Sequence, residues 1–370
     1  MSRLLPSRST QPAHAGVVVT ADDLGLLLVA ADGELTVQFR VRATTHDPGD
    51  VVVSRRAMTE TLAALTTPEV RLVVEGHRLA VRMPGARFAL PRLGNAQLTP
   101  AGLPPMVGTV VGAELAAAAV PVAGAASREH ALPIFTGVRL RSRGDCLSLV
   151  ATDRYRLACA SVPWQPVDTE GVGTEGVDTE RAVEALVPAA VFAEACKQAG
   201  RADAVRVHAG GDLFGLAWDG GSIVTSTLGD AFPDAQLDRL VDVTPECVIE
   251  VESDALAAAV DRAGRCGGVH GRVAVQAVDG AVLIRASDPL SGESEETVKA
   301  TVRGGHLTRC YQARLLSDAL RPTARHTVQL RIQADLRPTA ITGTGGPAAA
   351  VDLRYLVVPM RPATPSHDAT

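Results

Sequence analysis

Residues 185–220 read ALVPAAVFAEACKQAGRADAVRVHAGGDLFGLAWDG. Leu186-Val187 ends a strand, and Pro188 opens a helix over Ala189–Gly200. Two strands follow, Ala204–His208 and Leu213–Trp218. The same order recurs on either side. Upstream, the strand Val51–Val53 meets Ser54, a helix N-cap, and the helix runs through Leu65 with Met58, Leu62 and Leu65 on one face. Strands Val70–Glu75, Arg78–Met83 and Arg87–Leu90 come next, turning at Gly76 and Pro84-Gly85. Downstream, Cys310-Tyr311 leads into the helix Ala313–Leu320 and strands Thr327–Gln333 and Thr339–Thr342. The three starts, Val53, Val187 and Cys310, lie 134 and 123 residues apart. Solenoid repeats are far shorter. The pattern is three copies of one domain.

A second block alternates with the first. A helical stretch at Gly112–Val120 precedes strands Gly137–Leu140 and Cys146–Ala151. A helix at Asp254–Arg265 precedes strands Arg272–Val278 and Val282–Ala286. Each domain therefore reads helix, strands, helix, strands. The first copy departs from this, its leading helix absent or reduced to Met1–Ala15. Its strands are Val17–Thr20, Leu26–Ala31 and Leu35–Ala43. In the last, Leu35, Val37, Phe39 and Val41 point inward by their period of two, and Thr36, Gln38, Arg40 and Arg42 outward. The tandem stretch VDTEGVGTEGVDTE at Val167–Glu180 has no apolar period and reads as an exposed loop expansion.

A chain of 370 residues is about two and a half times the ~150-residue domain prior, which agrees with two or three domains. Its 36 Lys+Arg against 41 Asp+Glu give a formal charge of −5, so overall charge does not make it a polyanion binder. A local basic face on an acidic body remains open. The six cysteines contain no CxxC pair, which removes zinc-ribbon and thioredoxin-like motifs and leaves scattered free thiols of a reducing cytoplasm. No apolar run has the length of a membrane span, and the N-terminus has no apolar core of a secretion signal.

Catalytic motifs are missing as well. There is no GxxxxGK[ST], HExxH or GxSxG, and no histidines pair at i,i+4. Gly343–Gly346 reads as a hairpin loop with no helix behind it. Glu293–Glu296 read as a solvated polar turn within SDPLSGESEET. Neither a catalytic centre nor a metal or cofactor site is expected, and binding or scaffolding is favoured.

Two segments carry more information: ATDRYRLA at Ala151–Ala158, inside ALPIFTGVRL…LSLVATDRYRLACASVPW, and YLVVPMR at Tyr355–Arg361. With the threefold repeat, they resemble the bacterial DNA polymerase III β subunit family, the sliding clamps, from about Ala15 to Pro362. The resemblance implies an α+β fold of three clamp domains, 1–104, 105–242 and 243–370. It also implies a head-to-tail homodimeric ring in the bacterial cytoplasm, with sheets outside and helices lining the hole. Such a ring is a non-catalytic processivity factor. It holds duplex DNA without sequence preference through charges on the inner helices. The candidates here are Arg55, Arg56, Arg128, Lys197, Arg201, Arg262, Arg265, Arg309 and Arg314.

The resemblance further implies a pocket for short peptides of the polymerase α subunit, the clamp loader and repair proteins. Carried over by motif, its wall is Phe135, Thr152, Arg154, Tyr155, Arg156, Leu157, Pro233, Tyr311, Arg314, Leu336, Pro338, Leu356, Val357, Val358, Pro359, Met360 and Arg361. Val358, Pro359 and Met360 form the expected apolar floor. This sequence departs from the family pattern in three ways. The first domain lacks its leading strand and most of its first helix. Arg154 stands where glycine is frequent, and Tyr311 and Arg314 where asparagine and tyrosine are usual, which alters the pocket rim. Gly264–Gly268, GRCGG, is small and polar where apolar dimer contacts are expected. The tail Pro362–Thr370 would border the pocket. An alternative within the same fold is a specialised second copy with an altered pocket, serving a repair polymerase or tolerating a clamp-directed inhibitor.

Overall fold

The computed structural model describes residues 4–5, 12–94, 99–167, 183–229, 231–241 and 244–361. The loop expansion at 168–180 and the tail Pro362–Thr370 lie outside the described residues, as does most of 1–11. Contacts group the chain into two units, 1–113 with 165–228, and 114–164 with 229–370.

The first unit is built on a nine-stranded antiparallel sheet. Strands Gly16–Asp22, Gly25–Ala31, Leu35–Val41 and Gly49–Ser54 supply one part. Strands Met106–Val110, Val205–Gly210, Leu213–Trp218 and Gly221–Ser226 supply most of the other. The parts join where Ile223 stands opposite Val37. Strands Arg71–Glu75, Arg78–Met83 and Ala86–Pro91 form a separate sheet. The helix Arg55–Ala63 is capped by the Ser54 hydroxyl, which accepts from the Ala57 amide. The helix Ala189–Ala199 buries Phe192, Ala195, Cys196 and Ala199 at spacings of three and four, with Phe192 edge-on to Phe214. Thr36, expected to face outward, is buried, and its hydroxyl accepts from the Ala101 amide; Val41 at the strand end is exposed. A hydrogen bond to a neighbouring segment overrides the two-residue period there. Among the described residues of the leading segment, Pro12–Ala15 form a 3-10 turn and Leu5 is buried.

In the second unit, strands run in the order Gly137–Arg143, Cys146–Thr152, Arg156–Pro163, Arg354–Val357, Thr339–Gly343, Thr327–Ile332, Cys247–Glu252, Gly292–Gly304, Ala281–Asp288, Arg272–Val278, Thr308–Gln312. All these neighbours are antiparallel. Helices Ser253–Ala263 and Ala313–Leu320 bury Leu256, Ala259, Val260, Leu315, Leu316 and Ala319. Three readings need correction. Glu293–Glu296 lie in the strand Gly292–Gly304, not in a turn, because only Pro289–Ser291 turn and residues from Gly292 pair with Ala281–Asp288. Gly343–Gly346 does lead into a helix, the short Gly346–Ala350, with Pro347 in its first turn. Asp234–Val241 is a helix that the sequence reading left unassigned.

Candidate functional site

The hairpin between Cys146–Thr152 and Arg156–Pro163 is closed by its own side chains. The Asp153 carboxylate accepts from the backbone N–H of Tyr155 (3.0 Å) and of Arg156 (2.9 Å). The Thr152 hydroxyl donates to the Arg156 carbonyl at 2.7 Å and accepts from the Arg154 amide at 3.1 Å. This Asx-type closure leaves Arg154 left-handed, at φ 78°. Most residues with a Cβ avoid that region, and glycine enters it freely. Arg156 is buried. Its guanidinium binds Asp153 at 3.0 Å and Asp318 of the helix Ala313–Leu320 at 2.8 Å.

The strand Arg156–Pro163 then pairs with Arg354–Val357, setting Leu157 opposite Leu356. The Val358 amide donates to the Tyr155 carbonyl at 2.9 Å, which extends the pairing past the strand end. The two motifs that carry the resemblance are thus neighbours in one sheet. Beside them lies a cavity of about 180 Å3. Leu157, Leu356, Leu237 and Val358 supply apolar wall, Phe135, Pro233, Leu240 and Pro338 more of it, and Thr152, Arg154 and Arg156 the polar atoms. Leu157, Leu356 and Ala340 are a buried cluster against which Leu237 and Val241 pack. Asp234, at the start of that helix, is held by Arg139 at 2.9 Å. Leu237 and Leu240 were missed in the sequence; the signal was Leu237, Leu240 and Val241 at helical spacing behind Pro233-Asp234.

Nine of the expected wall residues line the cavity: Phe135, Thr152, Arg154, Arg156, Leu157, Pro233, Pro338, Leu356 and Val358. The others do not. Tyr311 is fully buried, its hydroxyl 2.6 Å from that of Thr339, and burial pushes its phenol up. Arg314 is exposed on its helix. The expected alteration of the rim by Tyr311 and Arg314 therefore has no counterpart at this cavity. Val357 is buried in the sheet and Pro359 is buried just past its end. Met360 pairs its amide with the Cys310 carbonyl, and Arg361 gives its carbonyl to Arg272. Tyr155 and Leu336 are exposed beside the cavity-lining segments. Of the expected floor, Val358 lines the cavity together with Leu157, Leu237 and Leu356, while Pro359 and Met360 do not.

The candidate DNA-facing residues divide. Arg55 is only 4% exposed, turned into the first unit by the helix phase that exposes Arg56. Arg56 pairs with Glu60, and Arg262 with Glu296 at 2.7 Å, which holds the Glu296 carboxyl below its ordinary range. Arg309 donates to the carbonyls of Thr308 and Gln333. Arg128, Lys197, Arg201, Arg265 and Arg314 are exposed. Among the described residues no cluster of His, Cys, Asp and Glu could hold a metal ion.

Antiparallel sheets built of repeated strand and helix blocks thus carry an apolar cavity beside the paired hairpin and C-terminal strand. Two family models match the chain: the N-terminal domain of the DNA polymerase III beta subunit over residues 1–99 and its central domain over 109–234. The beta sliding clamp of Micrococcus luteus is 31% identical over 233 residues, covering 62% of this chain and 71% of the relative. That of Streptomyces coelicolor is 28% identical over 369 residues, covering 97% and 95%. A Pseudomonas aeruginosa sliding clamp, solved bound to griselimycin, superposes with a TM-score of 0.83 at 21% identity, covering 97% of this chain and 94% of that one. The chain belongs to the DNA polymerase III beta subunit family, the beta sliding clamps. The clamp fold expected from the sequence is the fold found.

Proposed function

We propose that the chain acts as a homodimeric ring in the bacterial cytoplasm, without catalytic activity of its own. The ring encircles duplex DNA and tethers the replicative polymerase, the clamp loader and repair proteins through short peptides. Its three clamp domains are 1–104, 105–242 and 243–370, and the peptide site is the cavity beside Leu157 and Leu356. The pairing of Arg156–Pro163 with Arg354–Val357, which assembles that cavity, carries the reading.

Two open sheet edges support ring closure. The strand Ala86–Pro91 pairs with Arg78–Met83 on one side, and no described strand covers its other side. It carries Arg87 and the exposed Phe88. In Gly292–Gly304, residues 300–304 pair with Cys247–Val251, and among the described residues 292–299 pair only with Ala281–Asp288. That edge carries Glu293, Glu295 and Glu296. Open edges invite pairing. Unlike in sequence, they suit a heterologous contact that closes after two copies. Primer extension on a long single-stranded template, with loader and polymerase, tests the function. Addition of the chain lengthens the products per binding event; unchanged product length contradicts the proposal. A specialised copy is a second reading, favoured by Arg154 at a left-handed position.

A further inference from the structure

The cavity has two cations on its wall and no carboxylate. Arg156 is neutralised by Asp153 and Asp318, both within 3.0 Å. Arg154 is not held this way. Its guanidinium carbon sits 5.9 Å from the centre of the Phe135 ring, a cation–π placement. Its ion-pair partner is Glu129 at 3.6 Å, too long for a hydrogen bond, with side chains 49% and 63% exposed. Both Arg154 and Phe135 line the cavity. A loosely held cation therefore stands where an apolar anchor would enter. Its backbone is left-handed, so the side chain is kept at a position where glycine carries no strain.

Resting on the reading of this cavity as a peptide site, we propose that Arg154 is a specificity-determining residue. It selects linear peptides that carry a carboxylate beside the apolar anchor. The peptide carboxylate takes the place of Glu129 at the guanidinium, and the anchor lies against Leu157 and Leu356. Phe135 keeps the guanidinium over the mouth. The charge acts on choice between peptides more than on total affinity.

The test uses the full-length chain and fluorescein-labelled peptides with one Leu and one Phe anchor. A single Asp or Asn is placed at each position flanking the anchors, and binding is read by anisotropy. At its best position Asp binds the wild type roughly three- to fivefold more tightly than Asn, the range of an exposed charge pair. The preference shrinks in about 0.5 M salt, where screening shortens to a few ångströms. Arg154→Gly, which suits the left-handed backbone, loses the preference and still binds the Asn peptides. Arg154→Lys keeps most of it. Equal Asp/Asn ratios in wild type and Arg154→Gly overturn the role of Arg154 while leaving the peptide site standing. Failure of the wild type to bind any of the peptides, or binding that survives Leu157→Asp, overturns the peptide-site reading itself.

Discussion

Arg156 is the group on which the site's geometry depends, and its replacement by methionine has a calculable cost. The guanidinium makes one charged hydrogen bond to Asp153 at 3.0 Å and one to Asp318 at 2.8 Å, and it is only 7% exposed. Bonds to charged groups contribute about 1.5–3 kcal/mol each. Breaking a fully buried pair costs about 3–5 kcal/mol, because the orphaned charge stays desolvated. Asp318 is 25% exposed and recovers some water, which lowers the figure. Arg156→Met is therefore expected to destabilise the second unit by about 3 kcal/mol. Asp318→Asn, which leaves the Asp153 pair intact, is expected to cost about 1 kcal/mol. Trp164 is buried in the second unit and Trp218 in the first, so a Trp218→Phe background makes fluorescence report the second unit alone. Urea unfolding followed at Trp164 gives the difference. A loss below about 1 kcal/mol for Arg156→Met would place Arg156 among surface ion pairs and refute the argument.

Tyr311→Phe removes the hydroxyl that pairs with Thr339 and leaves the Thr339 oxygen unpartnered in a buried place; about 1–2 kcal/mol is expected from the same unfolding assay, with peptide affinity unchanged. Leu237→Asp sets a carboxylate into the apolar wall, and calorimetry with an apolar-anchored peptide is expected to show at least a tenfold loss. Burial raises the Cys159 thiol to about 11, and raises Cys247, Tyr311 and Tyr355 as well. The unfolded chain releases these protons first, so stability of the second unit is full below about pH 9 and falls as pH climbs towards 11. Urea midpoints that stay level between pH 8 and pH 11 would contradict this. Light scattering at micromolar concentration is expected to give about twice 38.4 kDa, and a monomer at every concentration would remove the ring.

Local signals are legible where one periodicity governs a segment. Arg272–Val278 alternates half-buried and buried as its sequence alternates, and Ser54 caps its helix as its type and place require. Long-range pairing leaves no periodic trace. Nothing local in ATDRYRLA says that Leu157 faces Leu356; only the resemblance joined the two motifs. Polar strands also hide. Gly292–Gly304 begins GESEET, without apolar alternation, because its ladder is supplied by the neighbouring strand. The resemblance assigns Tyr311 to the pocket by position. The fold instead uses it as a core residue whose hydroxyl is satisfied by Thr339. The charge on Arg55 suggested an outward residue, but helix phase turned it inward.

Retention on DNA of defined topology tests the central claim most directly. The chain, loaded by a clamp loader onto nicked circular plasmid and passed over a sizing column in moderate salt, is expected to travel with the circle. After the plasmid is cut once, it should run off the ends and elute free, since its phosphate contacts alone are weak and salt-sensitive. Equal retention on circular and linear DNA would show that contacts rather than topology hold the chain. That result would contradict the account of this protein as a sliding clamp.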